Sequence, residues 1–252
     1  MSRFPKGLTL VQNAPRLNRS NLDDALSLIE SASKNSDVII FAELSLNGYM
    51  LQDKLHEDAW SLDELSALKE ASEKIDIVIG AALKEANGYY NAALYFSEGE
   101  IKHIHHKVHL PNYGMFEEAR YFRPGNQIKS FETKYGRAAM LVCEDLWEVN
   151  LLEDLEDEHP EVIYILAASP ARGFSDDGLE IEATWQKLLE KAAKDMKAEI
   201  IFVNRVGFED GLGFWGGSRL LNTNGEITAE LPKFEVITVH TKYQKTQKSE
   251  KG

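Results

Sequence analysis

The sequence predicts an α/β fold, because short runs of apolar and β-branched residues alternate with longer segments of helical period. Residues 8–12 form the first apolar run, and residues 21–34 follow it with apolar side chains spaced to lie on one helical face. Residues 38–42 form a second apolar run, typical of a buried strand. Strand, helix and strand in this order predict a sheet that is covered by helices.

A capping box predicts the next helix. Ser61 and Glu64 are placed so that the hydroxyl and the carboxylate can bind free amides of the first helical turn, which predicts a helix over residues 62–74. Residues 90–96 and 101–105 flank a glycine-containing connection, and this spacing predicts an antiparallel hairpin. The other predicted elements are strands over residues 77–81, 137–142, 161–167 and 199–203, a helix over 180–197, and a β-rich end over 214–221, 226–231 and 235–240 with a turn at 222–225.

The composition fits one large domain. The chain has 252 residues, of which 43% are hydrophobic and 27% charged, so it can bury a sizeable core. No internal repeat or linker rich in proline, glycine and serine divides it. We therefore expect a single domain over residues 1–240, followed by a lysine-rich tail over residues 241–252.

Charge and apolar content exclude several classes of partner and location. With 28 Lys and Arg against 41 Asp and Glu, the formal net charge is −13, which would repel phosphate backbones and anionic headgroups. Nucleic acid and membrane surfaces are therefore not expected partners. No run approaches the roughly 18 apolar residues that a membrane span needs. The single cysteine cannot form an internal disulfide and the N-terminus has no apolar leader, so a cytoplasmic location is expected.

Cys143 is a candidate nucleophile, because it ends the apolar run of residues 137–142 and is followed by two acidic residues. Reactive groups commonly emerge where strands end. A free thiol has a pKa of about 8.5 and needs a base or a positive charge nearby to become a thiolate at neutral pH. Without such partners, Cys143 would be an inert buried thiol.

Glu43 and Lys107 are the candidate partners of Cys143. Glu43 ends the apolar run of residues 38–42, and Lys107 leaves the predicted strand over residues 101–105 to enter a loop that contains proline and glycine. Taken singly, each has an ordinary explanation, as a solvated carboxylate and as an exposed lysine. Together, a carboxylate, an ammonium group and a thiol supply the base, the oxyanion stabiliser and the nucleophile of covalent catalysis.

Three segments around these residues resemble the signatures of a known family. Residues 41–49 read FAELSLNGY, residues 107–122 read KVHLPNYGMFEEARYF, and residues 143–147 read CEDLW. They are similar to the nitrilase or carbon–nitrogen hydrolase superfamily and, within it, to the glutaminase domain of glutamine-dependent NAD synthetases. Weaker matches lie at residues 91–93, 204–207, 216–218 and 224–225. The resemblance implies a four-layer αββα sandwich.

The resemblance also implies a mechanism. Glu43 would take the thiol proton, Cys143 would attack an amide carbonyl, and Lys107 would stabilise the oxyanion. Ammonia would leave, and water would then hydrolyse the thioester. Glu118 matches a second carboxylate that orients Lys107 or the substrate, with the neighbouring Glu117 as the alternative. No metal or organic cofactor is implied.

The resemblance implies a substrate pocket but leaves the choice of ligand open. After Ser169 and a proline, the resembling domains usually continue toward a lysine in a longer loop, whereas residues 171–177 here read ARGFSDD. Glutamine is therefore not fixed as the substrate. The ATP-dependent synthetase domain has no counterpart in the sequence, so a separate ammonia-accepting synthetase stays open as a partner. The residues that the resemblance maps to the substrate pocket are Tyr49, Tyr113, Glu144, Trp147 and Ser169.

Two other patterns are discounted. The histidines at 103, 105, 106 and 109 suggest a metal site, but no cysteine or carboxylate completes a ligand set at a recognisable spacing. The glycines at 211, 213 and 216 match a dinucleotide fingerprint, yet they open a β-rich segment and do not join a strand to a helix.

The sequence therefore predicts an amidohydrolase that acts on a small primary carboxamide, either glutamine-like or aliphatic. A nitrilase or an N-carbamoyl amino acid hydrolase would use the same three residues, because pocket shape selects among these substrates. A catalytically idle binding or scaffold protein on the same fold is the alternative from another class. By resemblance, a homo-oligomer is expected.

Overall fold

The computed structural model describes residues 5–176 and 178–242, so the predicted lysine-rich tail lies outside the described residues from position 243 onward. The strands are β1 (Gly7–Gln12), β2 (Val38–Phe41), β3 (Asp76–Glu85), β4 (Gly88–Ser97), β5 (Glu100–His106), β6 (Ser130–Thr133), β7 (Gly136–Val142), β8 (Val162–Ala167), β9 (Phe174–Ser175), β10 (Gly178–Leu179), β11 (Glu199–Asn204), β12 (Val206–Glu209), β13 (Leu212–Trp215), β14 (Arg219–Leu221), β15 (Ile227–Glu230) and β16 (Ile237–Lys242). The helices are α1 (Asn21–Ala32), α2 (Leu55–Asp58), α3 (Ser66–Ala71), α4 (Glu118–Tyr121), α5 (Val149–Glu156) and α6 (Glu180–Met196).

Two six-stranded sheets form the centre of the molecule. The first sheet has the order β16-β1-β2-β3-β4-β5, and the second has the order β15-β14-β11-β8-β7-β6. In each sheet three neighbouring strands are parallel, namely β1, β2 and β3 in the first and β7, β8 and β11 in the second. Antiparallel strands flank this parallel set on both sides. The remaining strands pair as two short hairpins, β9 with β10 and β12 with β13.

The two sheets pack face to face, and helices cover their outer faces. The rings of Tyr95 of β4 and Tyr164 of β8 lie 6.0 Å apart in one buried cluster that also contains Ile40 of β2, which places the main core between the sheets. The alternate side chains of β2 point outward, where they pack with α1 and α3. Helix α6 covers the second sheet with Trp185 and Leu189. The predicted αββα sandwich is therefore confirmed.

Most elements form where the sequence predicts them, and the antiparallel hairpin of β4 and β5 is confirmed, with both strands within two residues of the predicted bounds. The helix predicted over residues 62–74 differs: its capping box forms, with the Ser61 amide donating to Glu64 at 2.9 Å, but the helix begins as a 3₁₀ turn and α3 ends at Ala71. It ends early because the hairpin connection binds Ser72. The Glu98 amide donates to the Ser72 carbonyl at 3.0 Å, and the Gly99 amide donates to its hydroxyl at 3.1 Å.

The strand predicted over residues 214–221 is also interrupted. It divides into β13 and β14, because Gly216 and Gly217 have positive φ values of 71° and 62° that no extended strand contains. The sequence does not predict several elements that are short or polar, namely β6, β9, β10, β12, α2, α4 and α5. Within the described residues, no helix is both long and apolar enough to cross a bilayer.

Candidate active site

Glu43, Lys107 and Cys143 all lie just beyond the end of a strand. Glu43 follows β2 and Lys107 follows β5, both in the first sheet, whereas Cys143 follows β7 in the second sheet. All three side chains are buried. The Lys107 ammonium donates to Glu43 Oε1 at 2.8 Å, and its charge and that of Glu43 both act on the thiol of Cys143. The structure therefore brings the three predicted residues together at the seam between the sheets.

Glu43 is held by donors from three parts of the chain. Besides Lys107, the Asn91 side-chain amide donates to Oε1 at 2.7 Å. The backbone amide of Ala168, at the end of β8 in the second sheet, donates to Oε2 at 2.7 Å. Each carboxylate oxygen therefore has a protein donor, which fixes the orientation of the group.

The backbone that carries Glu43 passes directly over Gly80 of β3. A Cβ atom at position 80 would lie 2.5 Å from the Ala42 carbonyl oxygen and 2.5 Å from the Leu44 amide nitrogen. We expect Gly80→Ala to lower the free energy of unfolding by about 1–3 kcal/mol, because rigid backbone must move to admit the methyl group. Urea unfolding measures this. Gly213→Ala is the matched control, since the three heavy atoms nearest to its Cβ would all belong to the exposed Phe208 ring. Equal effects in the two variants would contradict the prediction.

Cys143 is the first residue of a 3₁₀ turn, Cys143–Trp147, that begins at the end of β7. Its φ of 47° is unusual for a residue other than glycine. The backbone therefore changes direction sharply at Cys143, where β7 ends and the 3₁₀ turn begins. Such strain persists only where surrounding contacts hold the backbone in place.

Asp145 supplies those contacts, and the sequence analysis did not identify it. Its Oδ2 accepts from the Val142 amide at 3.0 Å and from His105 Nε2 at 2.7 Å. Its Oδ1 accepts from the amides of Val108 and His109, both at 2.9 Å. Burial would raise the pKa of Asp145, but His105 and these amides hold it below its usual value. Asp145 therefore fixes the turn at Cys143 to the segment that follows Lys107.

Glu118, and not Glu117, lies beside Lys107. Glu118 is buried at the start of α4, and its Oε1 accepts from Lys107 Nζ at 2.8 Å and from the Tyr49 hydroxyl at 2.5 Å. Its Oε2 is buried and has no hydrogen-bond partner within the described part of the chain. Glu117 is exposed and pairs with Arg120 at 3.3 Å.

The charges at the site set its protonation. Burial raises the pKa of Glu118 to about 7, against the opposing effect of Lys107. Burial opposes the charge on Lys107, but Glu118 and Glu43 together raise its pKa well above the ordinary value. Burial and then Glu43 raise the pKa of the Cys143 thiol, although Lys107 opposes them. At neutral pH the site therefore holds an ammonium ion beside a protonated thiol, and a base is needed to form the thiolate.

The predicted pocket residues surround this set at different depths. Tyr49 binds Glu118, and Tyr113, which is 49% exposed, donates to Glu144 Oε1 at 2.5 Å. Burial, then the Glu118 carboxylate and further charges that include Cys143, raise the pKa of Tyr49. Burial and Glu144 likewise raise the pKa of Tyr113 to about 12, with a smaller contribution from Cys143. The other two predicted residues contact a single tryptophan: Trp185 meets the Trp147 ring edge to face at 5.6 Å and donates to Ser169 Oγ at 2.9 Å.

The four histidines that lie close together in the sequence, at positions 103, 105, 106 and 109, have separate partners. Within residues 5–176 and 178–242, no group of three His, Cys, Asp or Glu side chains is arranged to hold a metal ion. His103 stacks on Phe131 at 4.3 Å, His105 binds Asp145, His106 pairs with Glu85 at 2.7 Å, and His109 lies 3.4 Å from Glu148.

Sequence comparison identifies relatives over nearly the whole chain. The profile of the carbon-nitrogen hydrolase family matches residues 8–250. A glutamine-dependent NAD(+) synthetase from Acinetobacter baylyi is 30% identical over 251 residues, which cover 96% of this chain and 44% of that protein. The counterpart from Thermotoga maritima is 29% identical and is covered over 41% of its length. The chain thus spans less than half the length of these curated relatives.

Solved structures share the fold. The ADP complex of glutamine-dependent NAD+ synthetase from Acinetobacter baumannii aligns with a TM-score of 0.82 at 29% identity, over 95% of this chain and 46% of that one. An amidase from Nesterenkonia sp. aligns with a TM-score of 0.79 at 21% identity, over 96% of this chain and 90% of that one. By the family profile that matches residues 8–250, the chain belongs to the carbon-nitrogen hydrolase family.

Proposed function

We propose that this chain is an amidohydrolase that cleaves the C–N bond of a small primary carboxamide through a thioester on Cys143 and releases ammonia. The observation that carries the proposal is the buried Lys107 ammonium, which binds Glu43 and Glu118 at 2.8 Å each and acts electrostatically on the Cys143 thiol. A fixed cation beside a nucleophile stabilises the negative charge that develops on a carbonyl oxygen. The family and its amidase and synthetase relatives support this reaction class.

The first half of the reaction forms the thioester. Glu43 takes the thiol proton while Cys143 Sγ bonds to the amide carbon, and the carbonyl oxygen becomes an oxyanion next to Lys107. When the oxyanion collapses, the C–N bond breaks and the nitrogen takes the proton from Glu43. Ammonia leaves, and Glu43 is again a carboxylate.

The second half releases the acid. Glu43 takes a proton from water, and the oxygen of that water bonds to the thioester carbon. The new oxyanion again lies next to Lys107. On its collapse the C–S bond breaks, and Cys143 recovers its proton from Glu43. Glu118 holds the ammonium in place throughout both halves, because Lys107 binds it at 2.8 Å.

Ser169 narrows the class of substrate. Its Oγ accepts hydrogen bonds from two tryptophan side chains, Trp185 at 2.9 Å and Trp215 at 3.3 Å. An indole N–H can only donate, so both lone pairs of the hydroxyl are used and its hydrogen is left to donate. Three residues further along the chain, the Arg172 guanidinium lies 5.4 Å from the centre of the Phe116 ring, and its buried Nε has no acceptor among the residues that the structure describes. We therefore infer that the substrate carries an acceptor group, such as a carboxylate, apart from its amide.

Ammonia release from a panel of compounds tests the proposal. We expect release that depends on Cys143 from at least one primary amide, and faster release from glutamine or asparagine than from butyramide, because only the former carry a carboxylate for Ser169 to bind. Release from a nitrile or an N-carbamoyl amino acid alone would assign a different reaction to the site. Silence across the panel, with a thiol that resists iodoacetamide, would favour the idle binding or scaffold protein.

Two partners follow as proposals. The relatives that match this chain over less than half their length are NAD synthetases, so the ammonia could be passed to a separate synthetase. The second proposed partner is another copy of this chain, in a homo-oligomer. Light scattering at micromolar concentration tests this proposal, and a monomer alone would contradict it.

A further inference from the structure

We propose that Arg205 and Glu209 form a positioning pair that holds Tyr49 against Glu118 and so keeps the Lys107 ammonium aligned with Cys143. The pair lies around the β12–β13 hairpin and outside the set that reacts. The inference rests on the proposed function for its role in turnover. Its geometry stands independently of the substrate.

Glu209 binds the backbone of the segment that carries Tyr49. Its Oε1 accepts from two consecutive amides, Tyr49 at 2.7 Å and Met50 at 2.5 Å. Its Oε2 accepts from Arg205 Nη1 at 2.7 Å. Gly48 makes this approach possible, because a Cβ atom there would lie 3.0 Å from Glu209 Oε2 and its φ is +83°. One buried carboxylate therefore fixes the main chain on which Tyr49 is mounted.

Arg205 holds the ring of Tyr49 as well. Its guanidinium lies 4.2 Å from the centre of the Phe214 ring, and the Tyr49 ring meets Phe214 edge to face at 6.0 Å. Main chain and ring of Tyr49 are thus fixed by the same pair. A tyrosine held at both ends has little freedom to swing its hydroxyl away from its acceptor.

Tyr49 connects the pair to the reacting groups. Its hydroxyl donates to Glu118 Oε1 at 2.5 Å, the same oxygen that accepts from Lys107. The charged and titratable groups that face Glu118 are Lys107, Glu43, Tyr49 and Cys143. Among them, the hydrogen bonds from Lys107 and Tyr49 lower the pKa of Glu118. Loss of the Tyr49 contact would therefore raise the pH at which Glu118 ionises.

Stability alone does not explain the pair. Arg205 is fully buried and Glu209 nearly so, on a hairpin whose neighbouring Phe208 is 85% exposed. Removing two charges from water costs several kcal/mol, and apolar replacements of buried pairs are often as stable or more so. A surface hairpin that nevertheless buries an ion pair against Tyr49 is better explained by the need to fix that residue.

The test detects the ionisation of Glu118 by its effect on the reactivity of the Cys143 thiol. The chain has one cysteine, so the rate of its alkylation by iodoacetamide, read by mass spectrometry between about pH 5 and pH 9, reports on this site alone. The rate rises with pH throughout this range, because the thiol has a raised pKa and only begins to ionise there. The Glu118 carboxylate raises the pKa of the thiol further, so its ionisation slows that rise. We expect the resulting inflection near pH 7 in the parent protein and an upward shift of about half a pH unit or more in Glu209→Ala. Asp210→Ala, at the exposed tip of the same hairpin, should leave the inflection unchanged.

Turnover and two further variants complete the test. We expect kcat for the best amide to fall about 10-fold or more in Glu209→Ala. Tyr49→Phe should shift the inflection in the same direction. Glu209→Gln keeps an acceptor for the two amides but turns an NH2 group toward Arg205, so it should shift the inflection less and remain folded even where Glu209→Ala does not.

The outcomes separate the two proposals. A shift in Tyr49→Phe with none in either Glu209 variant would overturn the positioning role, as would a lower melting temperature in Glu209→Ala with an unchanged inflection. If no amide is hydrolysed but the inflection moves as expected, the pair positions Tyr49 and the proposed reaction is wrong. If amides are hydrolysed and the inflection stays fixed, the proposed reaction is supported and the pair does not position Tyr49.

Discussion

The Cys143→Ala variant is expected to release no ammonia above background from the amide that the parent protein hydrolyses best, a loss of about 10⁴-fold or more. The reason is chemical: without the thiol no thioester forms, and any water that Glu43 activates would have to attack the amide itself, which is far less reactive than a thioester. Ammonia release under saturating substrate measures the loss.

Cys143→Ser is the matched variant, because it keeps a side chain of nearly the same size and replaces only the sulfur. We expect it to be almost as inactive, since a buried hydroxyl is a far weaker nucleophile than a thiol. Both variants should keep the circular dichroism spectrum of the parent. Retention of more than about one hundredth of the activity by Cys143→Ala would show that the reaction does not proceed through Cys143.

Lys107→Met is expected to abolish turnover and to destabilise the protein. Activity should fall about 10³-fold, because the oxyanion loses its cation. The free energy of unfolding should fall by about 3–5 kcal/mol, because Glu43 and Glu118 remain buried without their counter-ion. Urea unfolding at several pH values measures the second effect.

The pH dependence of that loss has a definite sign. Burial raises the pKa of Glu118, and Lys107 opposes this effect, so without Lys107 the folded state binds the Glu118 proton still more tightly than the unfolded state does. The variant therefore loses stability relative to the parent as pH rises. The difference in the free energy of unfolding between the parent and Lys107→Met should be large at about pH 8 and smaller at about pH 5. Lys102→Met is the control, because Lys102 lies on β5 just before Lys107, is exposed and pairs with Glu98 at 3.3 Å. A difference in the free energy of unfolding that does not change with pH would contradict this account.

Should Lys107→Met fail to fold, Lys107→Met combined with Glu118→Gln removes one of the two stranded carboxylates. We expect this double variant to recover part of the lost stability. A double variant less stable than Lys107→Met would show that the carboxylates are not the source of the effect.

The residues with chemical roles were predictable to different degrees. Glu43, Lys107 and Cys143 could be singled out because each ends an apolar run, and strand ends collect at one edge of a sheet. Glu118 and the pocket residues came only from the resemblance to a family, since nothing in the residues around them marks them. Their roles remain predictions that the variants above would test.

The supporting contacts could not be read from the sequence. Asp145 binds groups about forty residues away along the chain, and Glu209 binds amides about 160 residues away. Glycine is required at position 80 only because the backbone just after β2 passes over it. Such partners depend on how the two sheets pack, which no local pattern records.

The main elements were predictable because their apolar periodicity is strong, as in β1, α1 and β2. The missed elements lack that signal. Strand β6 is largely unburied and β12 is a short hairpin strand with an exposed Phe208. The early end of α3 depends on Ser72 binding a hairpin connection more than twenty residues later. Tertiary contacts override local propensity at these places.

The position of the site on the seam between the sheets means that the proposed reactivity would be a property of the finished molecule. The first sheet carries Glu43 and Lys107, and the second carries Cys143. Before the sheets dock, during synthesis or after partial unfolding, Cys143 is separated from both of these groups. Docking brings the thiol, the carboxylate and the ammonium group together at once, so the proposed reaction would be open only to chains that have completed folding.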